Sequence, residues 1–402
     1  RLPSVQSTIG AVDQGVSVDR RAFLRSGVVV GGAAVVTGAV YGTPWSSGPW
    51  SAPRETVAGP YGSLLPVDAN GIELPPGFSS RLIAVSGRPV GTTSYRWHDA
   101  PDGGACFATE DGWIYVSNSE VEPGGGVSAI RFDSSGALVD AYRTLSGTRR
   151  NCAGGATPWN TWLSCEEVPY GYVYETDPWG VRPGRRCEAM GRFMHEAAAC
   201  DPVRQVIYLT EDRSDGCFYR FRPEVWGDLS QGGTLEVLVA GADDTSGTTT
   251  WVRVPDPTPS ENATPTRKQV DGAKRFDGGE GCHYADGTCW FTTKGDGRVW
   301  YVNAAENTYG LTFDPTGEES LDGVDNLTAS AAGDLYVAED MGNMEINIIT
   351  PDDVIAPVLR VNQQDSSELC GPAFNPAGDR LYFSSQRGTA GVFRPAHLAG
   401  RA

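Results

Sequence analysis

Four carboxylates and one thiol recur in this sequence at similar distances ahead of an aromatic residue. They are Cys152, Glu196, Glu280, Asp325 and Glu368, which lie 10, 12, 10, 11 and 14 residues before the aromatic that follows. Carboxylate oxygens are the ligands that calcium prefers, and a thiolate together with carboxylates also suits iron. If these side chains meet, they repel one another strongly unless cations neutralise them. The pattern therefore predicts a metal site.

Three further acids stand beside this set. Glu166 and Glu167 end the stretch WLSCEE, which begins ten residues after Cys152, and Glu120 ends the comparable stretch SNSE. Adjacent carboxylates gain nothing from burial unless they are paired. We expect them at the ends of second strands, where they either reach the same cluster or remain in solvent.

The aromatic residues themselves repeat with a nearly constant period. They are Tyr115, Trp162, Tyr208, Trp290, Tyr336 and Tyr382, with spacings of 47, 46, 82, 46 and 46 residues. Each lies in a short β-prone run, and a second such run follows. A period in the forties made of short strands is typical of a β-propeller, in which the first strand of each blade lines a central channel. A β-sandwich is the alternative, although it would not explain the period.

The sequence thus predicts an all-β chain, a β-propeller of about six blades with the metal cluster in its central channel. The 82-residue gap hides either a degenerate seventh blade or a long insertion around residues 235–254. We expect residues 80–86 to supply a strand that closes the ring.

Composition limits the possible partners. The chain has 402 residues, a net charge of −18 and 51 glycines with 27 prolines, which favours many turns over long helices. An acidic surface argues against nucleic acid, because phosphate backbones bind to basic patches. We expect a small-molecule substrate and a monomer.

The first part of the sequence resembles an export signal. Arg20 and Arg21 precede a run of small apolar residues up to Gly42, which resembles a twin-arginine signal. The run is short for a membrane span. We therefore expect a signal and N-terminal region over residues 1–50, a linker over 51–65 and one propeller domain over 66–402. The location implied is periplasmic, extracellular or at the cell surface. Some of the nine cysteines are then expected to pair, although spacing alone assigns no pairs.

Four longer stretches resemble the motifs of PhoX-type alkaline phosphatases, and the resemblance spans about residues 60–397. These stretches are NCAGGATPWNTWLSCEE, GRFMHEAAACDP, LDGVDNLTASAAGDLYVAED and ELCGPAFNPAGDRLYFSSQRG. The resemblance implies a twin-arginine-exported propeller that hydrolyses phosphomonoesters with calcium and ferric ions, one of the latter bound through Cys152. Carried onto this chain, the metal ligands it implies are Cys152, Glu166 or Glu167, Glu196, Glu280, Asp325 and Glu368, with Glu120 as a further candidate.

The chain also departs from the family pattern. Gly278 stands where an arginine two residues before Glu280 is expected to contact phosphate. Arg213, Arg275 or Arg387 could take that role, and Arg213 and Arg275 are the catalytic candidates.

Two other functions remain open at this point. One is a propeller lactonase or esterase with a single calcium ion, and the other is a metal-stabilised propeller that binds a partner without catalysis. Iron together with calcium would favour the phosphatase, calcium alone the lactonase, and neither metal the binding module.

Overall fold

The chain folds into six blades of antiparallel β-strands arranged in a ring. The computed structural model describes residues 58–241, 245–315, 321–340, 342–362, 367–387 and 394–399. The expected export signal, and the first part of the expected linker, lie outside these residues. Within the described ranges, no helix is long and apolar enough to cross a membrane.

Each blade contains four strands that follow one another in sequence, apart from the last. Blade 1 contains β3 (Pro101–Thr109), β4 (Gly112–Ser119), β5 (Gly125–Asp133) and β6 (Leu138–Thr148). Blade 2 contains β7 (Asn151–Ala156), β8 (Trp162–Glu166), β9 (Val173–Thr176) and β10 (Arg185–Arg186). Blade 3 contains β11 (His195–Asp201), β12 (Val206–Glu211), β13 (Gly216–Pro223) and β14 (Gly233–Ala240), and β15 (Gly247–Arg253) and β16 (Arg275–Phe276) extend it.

The second half of the chain repeats this arrangement. Blade 4 contains β17 (Gly279–Ala285), β18 (Thr288–Thr293), β19 (Arg298–Asn303) and β20 (Thr308–Phe313). Blade 5 contains β21 (Val324–Ala329), β22 (Leu335–Glu339), β23 (Glu345–Ile349) and β24 (Ile355–Val361), with β1 (Ile72–Glu73) added outside. Blade 6 contains β25 (Leu369–Phe374), β26 (Arg380–Ser385), β27 (Arg394–Ala399) and β2 (Ser79–Leu82). Three short 3-10 turns complete the described elements, namely Glu188–Met190, Leu229–Gln231 and Thr266–Lys268.

The first strands of the six blades form a closed inner ring. Strands β3, β7, β11, β17, β21 and β25 each contact the first strand of the next blade, and β25 contacts β3 again. The fold therefore confirms the prediction that the first strand of each blade lines the channel. Six inner strands in the described residues correspond to six blades, which agrees with the predicted number.

The repeated aromatic residues mark the second strand of every blade, as the period predicted. They lie on β4, β8, β12, β18, β22 and β26, and all except Trp290 are buried. At the junction of blades 6 and 1, the Tyr115 and Tyr382 rings stack with centroids 4.8 Å apart. Trp113 Nε1 donates a hydrogen bond of 3.0 Å to the Tyr382 hydroxyl. Aromatic pairs of this kind add to the stability gained from burial alone.

The long gap between Tyr208 and Trp290 is an insertion and not a seventh blade. Strand β14 completes blade 3, and β15 pairs with both β14 and β20, so it bridges blades 3 and 4. The remaining length forms a loop over residues 254–274. The alternative of a degenerate blade was wrong because β14 and β15 have no inner strand of their own.

An N-terminal strand completes the last blade. Strand β2 pairs with β27, and Ser80 lies opposite Leu398. This agrees with the expected closing strand near residues 80–86, although β2 begins at Ser79 and ends at Leu82. The nine cysteines are all free thiols, so the expected pairing is not found. Two of them, Cys282 and Cys289, bring their sulfur atoms within 3.3 Å of each other.

Candidate metal centre

A β-bulge near the start of every inner strand turns one residue towards the channel. In five blades the register shifts after Pro101, Asn151, His195, Gly279 and Val324, so that three residues on the inner strand span two on the second strand. The residues that follow these five positions are Asp102, Cys152, Glu196, Glu280 and Asp325. A bulge bends its strand and re-aims a side chain. The repeated bulge is therefore what gathers these five side chains at one end of the channel, and we call them the inner tier.

The sixth blade has a glycine at this position. Its register shifts between Cys370 and Ala373, which places Gly371 in line with the acids of the other blades. Gly371 has a φ of +61°, and a Cβ there would lie 2.6 Å from the Asp102 carbonyl oxygen. Any larger residue would strain the contact between blades 6 and 1. The prediction that Glu368 shares the repeat phase of the other acids was therefore wrong, since Glu368 precedes β25 by one residue.

A second tier of polar residues follows the end of each second strand. These residues are Glu120, Glu167, Asp212, Lys294, Asp340 and Gln386. Gln386 Nε2 donates to Asp102 at 2.5 Å and to Glu120 at 2.8 Å, which ties this outer tier to the inner one. Both tiers therefore belong to one site.

Three groups of side chains in the two tiers have the geometry of a metal site. They are Asp102 with Glu120 and Cys152, Cys152 with Glu167 and Glu196, and Glu196 with Glu280 and Asp325. In each group the ligand atoms lie within 4.8 Å of one another. Because Cys152 and Glu196 each belong to two groups, the three groups form a continuous chain from blade 1 to blade 5.

The central carboxylate of this chain has no protein partner. Glu196 is 0% exposed, and neither of its carboxylate oxygens has a hydrogen-bond partner among the described residues. Burial, and then the charge of Glu280, raise its pKa well above the usual range. A buried, ionised carboxylate is stable only when it is paired or bound to a metal. The donor set, carboxylates and one thiolate, fits calcium and iron.

The two adjacent glutamates of WLSCEE have different roles. Glu167 joins the cluster and accepts a hydrogen bond of 2.8 Å from Arg150. Glu166 faces the blade, where its oxygens accept the backbone N–H groups of Arg149 at 3.0 Å and Tyr172 at 3.1 Å. Of the two candidates, the geometry therefore brings only Glu167 to the metal groups.

This difference gives a stability prediction. We expect Glu166→Ala to lower the free energy of unfolding by about 2 kcal/mol, because two partly buried backbone donors lose a charged acceptor. Denaturant unfolding in calcium measures this, and metal content should stay at the wild-type level. Glu167→Ala is the matched control and should instead lower metal content. Loss of metal in Glu166→Ala without loss of stability would contradict the assignment.

The remaining predicted residues lie at the edge of the cluster or away from it. Glu368 is buried, and the guanidinium of Arg387 lies 3.7 Å from its carboxylate and 2.9 Å from Glu120. Arg275 donates to Cys217 Sγ at 3.0 Å and to the backbone carbonyl of Asp215 on blade 3 at 3.3 Å. Arg213 lies in the turn after β12, where its carbonyl accepts the N–H of Gly278. The geometry thus brings Arg387 to the centre and leaves Arg275 outside it.

Sequence reasoning missed Asp102, Arg150 and four residues of the outer tier, namely Asp212, Lys294, Asp340 and Gln386. Asp102 is the second residue of the inner strand of blade 1, in the stretch PDGG, and lies 13 residues before Tyr115. Arg150 donates to both Glu120 and Glu167 at 2.6 and 2.8 Å. Lys294 lies 3.2 Å from Glu280 and 3.2 Å from Asp340. Aligning the residue after each second strand would have identified Lys294.

The crowding of acids predicts an unusual pH dependence for the metal-free protein. Burial, and then the charge of Glu120, raise the pKa of Glu167 to about 9, and burial with Asp325 raises that of Glu368 to about 8. The folded state therefore binds more protons than the unfolded state from about pH 4.5 to 9, and stability falls as the pH rises through that window. Melting temperatures in chelator should fall from pH 5 to pH 9. Saturating calcium should remove most of this fall, and an equal fall with calcium would contradict the prediction.

The fold is a six-bladed β-propeller. One end of its channel holds an acidic cluster with the geometry of a metal site. A family model described as "Alkaline phosphatase PhoX" matches residues 117–170 and 168–311. This match supports the assignment of the chain to the PhoX family of alkaline phosphatases. No curated protein matches the sequence.

Two solved structures share the fold. Pseudomonas fluorescens PhoX, in complex with vanadate, a transition state analogue, superposes with a TM-score of 0.69 and 16% identity, over 84% of this chain and 97% of that one. A gluconolactonase from Xanthomonas campestris gives a TM-score of 0.50 and 11% identity, over 85% of this chain and 99% of that one. At these identities both likenesses concern the fold alone.

Proposed function

We propose that this protein is an exported phosphomonoesterase of the alkaline phosphatase type, which depends on calcium and iron bound in the channel centre. The observation that carries the proposal is Glu196, fully buried between two groups of ligands and without a hydrogen-bond partner for its carboxylate. The match to the PhoX family supplies the reaction class.

The proposed ligands are the residues that the geometry brings together. They are Asp102, Glu120, Cys152, Glu167 and Glu196, and Glu280 and Asp325 complete a third candidate group that lies beside Lys294. Bound metal ions would attract phosphate oxygens, activate water and neutralise the charge that develops as the ester bond breaks. An acidic protein needs that positive charge, because a phosphomonoester is itself a dianion.

Two arginines at the channel mouth suit the phosphate group. The side chains of Arg150 and Arg387 are 38% and 53% exposed, and both already bind the Glu120 carboxylate. A guanidinium forms paired hydrogen bonds with phosphate oxygens. In the family pattern, an arginine at the position of Gly278 would contact phosphate. We therefore assign that role to Arg150 and Arg387. Arg213 stays a further candidate, whereas the guanidinium of Arg275 is engaged on blade 3.

An assay of purified protein tests the function. A chromogenic phosphomonoester should be hydrolysed, vanadate should inhibit the reaction, and a calcium chelator should abolish it until calcium is restored. A phosphodiester and an aliphatic lactone serve as control substrates. Lactone hydrolysis in calcium-loaded, iron-free protein, without phosphatase activity, would instead support the lactonase, and metal-free protein without activity would support the binding module.

A further inference from the structure

Lys294 stands at a position where most other blades carry an acid. Among the six outer-tier residues, four are acidic, one is Gln386, and Lys294 alone is basic. The position is defined by the end of the second strand and does not depend on loop length. Lys294 is thus a change of charge at a repeated position, within a cluster of carboxylates.

Its side chain reaches into the cluster instead of turning to solvent. The ammonium nitrogen lies 3.2 Å from a Glu280 oxygen and 3.2 Å from an Asp340 oxygen, and the side chain is 36% exposed. The backbone N–H of Lys294 donates to the Gly278 carbonyl at 2.8 Å, which fixes the start of the side chain. Both carboxylates that it contacts come from the blade 4 and blade 5 side of the channel.

The three candidate metal groups therefore differ in the charge that faces them. The third group, which contains Glu196, Glu280 and Asp325, is the one whose member Glu280 contacts Lys294. In the described residues, the cations that pair with the other two groups, around Cys152, are arginines that approach Glu120 and Glu167. A calcium ion bound to the same oxygen of Glu280 would lie within about 6 Å of the ammonium, since calcium–oxygen distances are about 2.5 Å. Two positive charges that close repel each other in a buried site.

We propose that Lys294 is a built-in cation that takes the place of a metal ion on the blade 4 and blade 5 side of the centre. It neutralises Glu280 and Asp340, so that metal ions bind mainly around Cys152. This inference rests on the proposed metal-dependent function. It further limits the number of metal ions that the channel centre binds. A compact ammonium suits the role, because it is a point charge with three donors.

The test replaces the ammonium by a neutral side chain of similar length. We expect Lys294→Gln, equilibrated with saturating calcium, to bind about one more ion per chain than the wild type in elemental analysis. In chelator its melting temperature should lie below that of the wild type, because Glu280 and Asp340 lose their cation. Calcium should then raise it by more than it raises the wild-type value.

Two variants serve as controls. Lys294→Arg keeps a positive charge and should keep the wild-type ion count. Lys268→Gln removes a lysine that pairs with Asp215 at the surface, and should change neither measurement. Equal ion counts in Lys294→Gln and the wild type would overturn the inference. So would a Lys294→Gln protein that fails to fold even in calcium, because a metal ion could then not replace the lysine. Wild-type protein that binds no metal would instead overturn the proposed metal centre itself.

Discussion

Cys152→Ser is expected to lower phosphomonoesterase activity by at least about 100-fold and to remove iron from the protein. Cys152 is the only thiol in the three metal groups, and it belongs to two of them. A serine hydroxyl is not ionised near neutral pH and is a poor ligand for iron. Loss of an outer partner of a metal ligand already costs about 10- to 100-fold in affinity or activity. Loss of the ligand itself should cost more.

Steady-state kinetics and elemental analysis on the same preparation measure both effects. Cys106→Ser is the matched control, because Cys106 lies on β3 and belongs to none of the three groups. It should keep its metal and its activity. If Cys152→Ser kept the wild-type iron content and rate, the assignment of the thiolate as a ligand would be wrong.

Glu196→Gln is expected to change stability with opposite signs in the presence and absence of metal. In chelator at pH 8 the wild type must keep Glu196 protonated or bear a buried charge, because burial and Glu280 raise its pKa. A neutral amide removes that requirement and should stabilise the metal-free protein by about 2 kcal/mol. With calcium, the same change removes a ligand and should lower stability by about 3 kcal/mol, the linkage expected at 100-fold saturation.

Thermal unfolding in chelator and in calcium measures this change of sign. Glu211→Gln is the control, since Glu211 lies on the same blade, is buried and accepts the Tyr219 hydroxyl at 2.8 Å without joining a metal group. Its effect on stability should be the same in chelator and in calcium. A decrease for Glu196→Gln in chelator as well as in calcium would show that Glu196 is a structural residue and not a ligand.

The aromatic period was sufficient to predict the propeller. Residues such as Tyr115 and Tyr382 occupy the same place on second strands, and their burial between blades requires a large side chain at each repeat. The aromatic pattern therefore reflects packing between blades, which limits the residue types that these positions can have. The blade count followed once β15 and the loop after it proved to be an insertion between blades 3 and 4.

The ligand positions were less predictable, because they depend on register. The distance from inner-tier residue to aromatic varies with the hairpin turn, from 13 residues for Asp102 to 10 for Cys152. Counting back from the aromatic therefore found four inner-tier residues but chose Glu368 where the bulge places Gly371. The same limit applies to Glu166, whose orientation depends on the β8–β9 turn.

The pairing of β2 with β27 has a consequence for the order of events during biogenesis. Side chains of blades 1 and 5 reach a common centre only when the ring is shut, and the ring is shut by a strand from near residue 80 and one from near residue 397. A ribosome must therefore release the chain as far as β27 before a complete set of candidate ligands exists. Metal binding would then follow the folding of the ring, which is consistent with the proposed export of a folded protein.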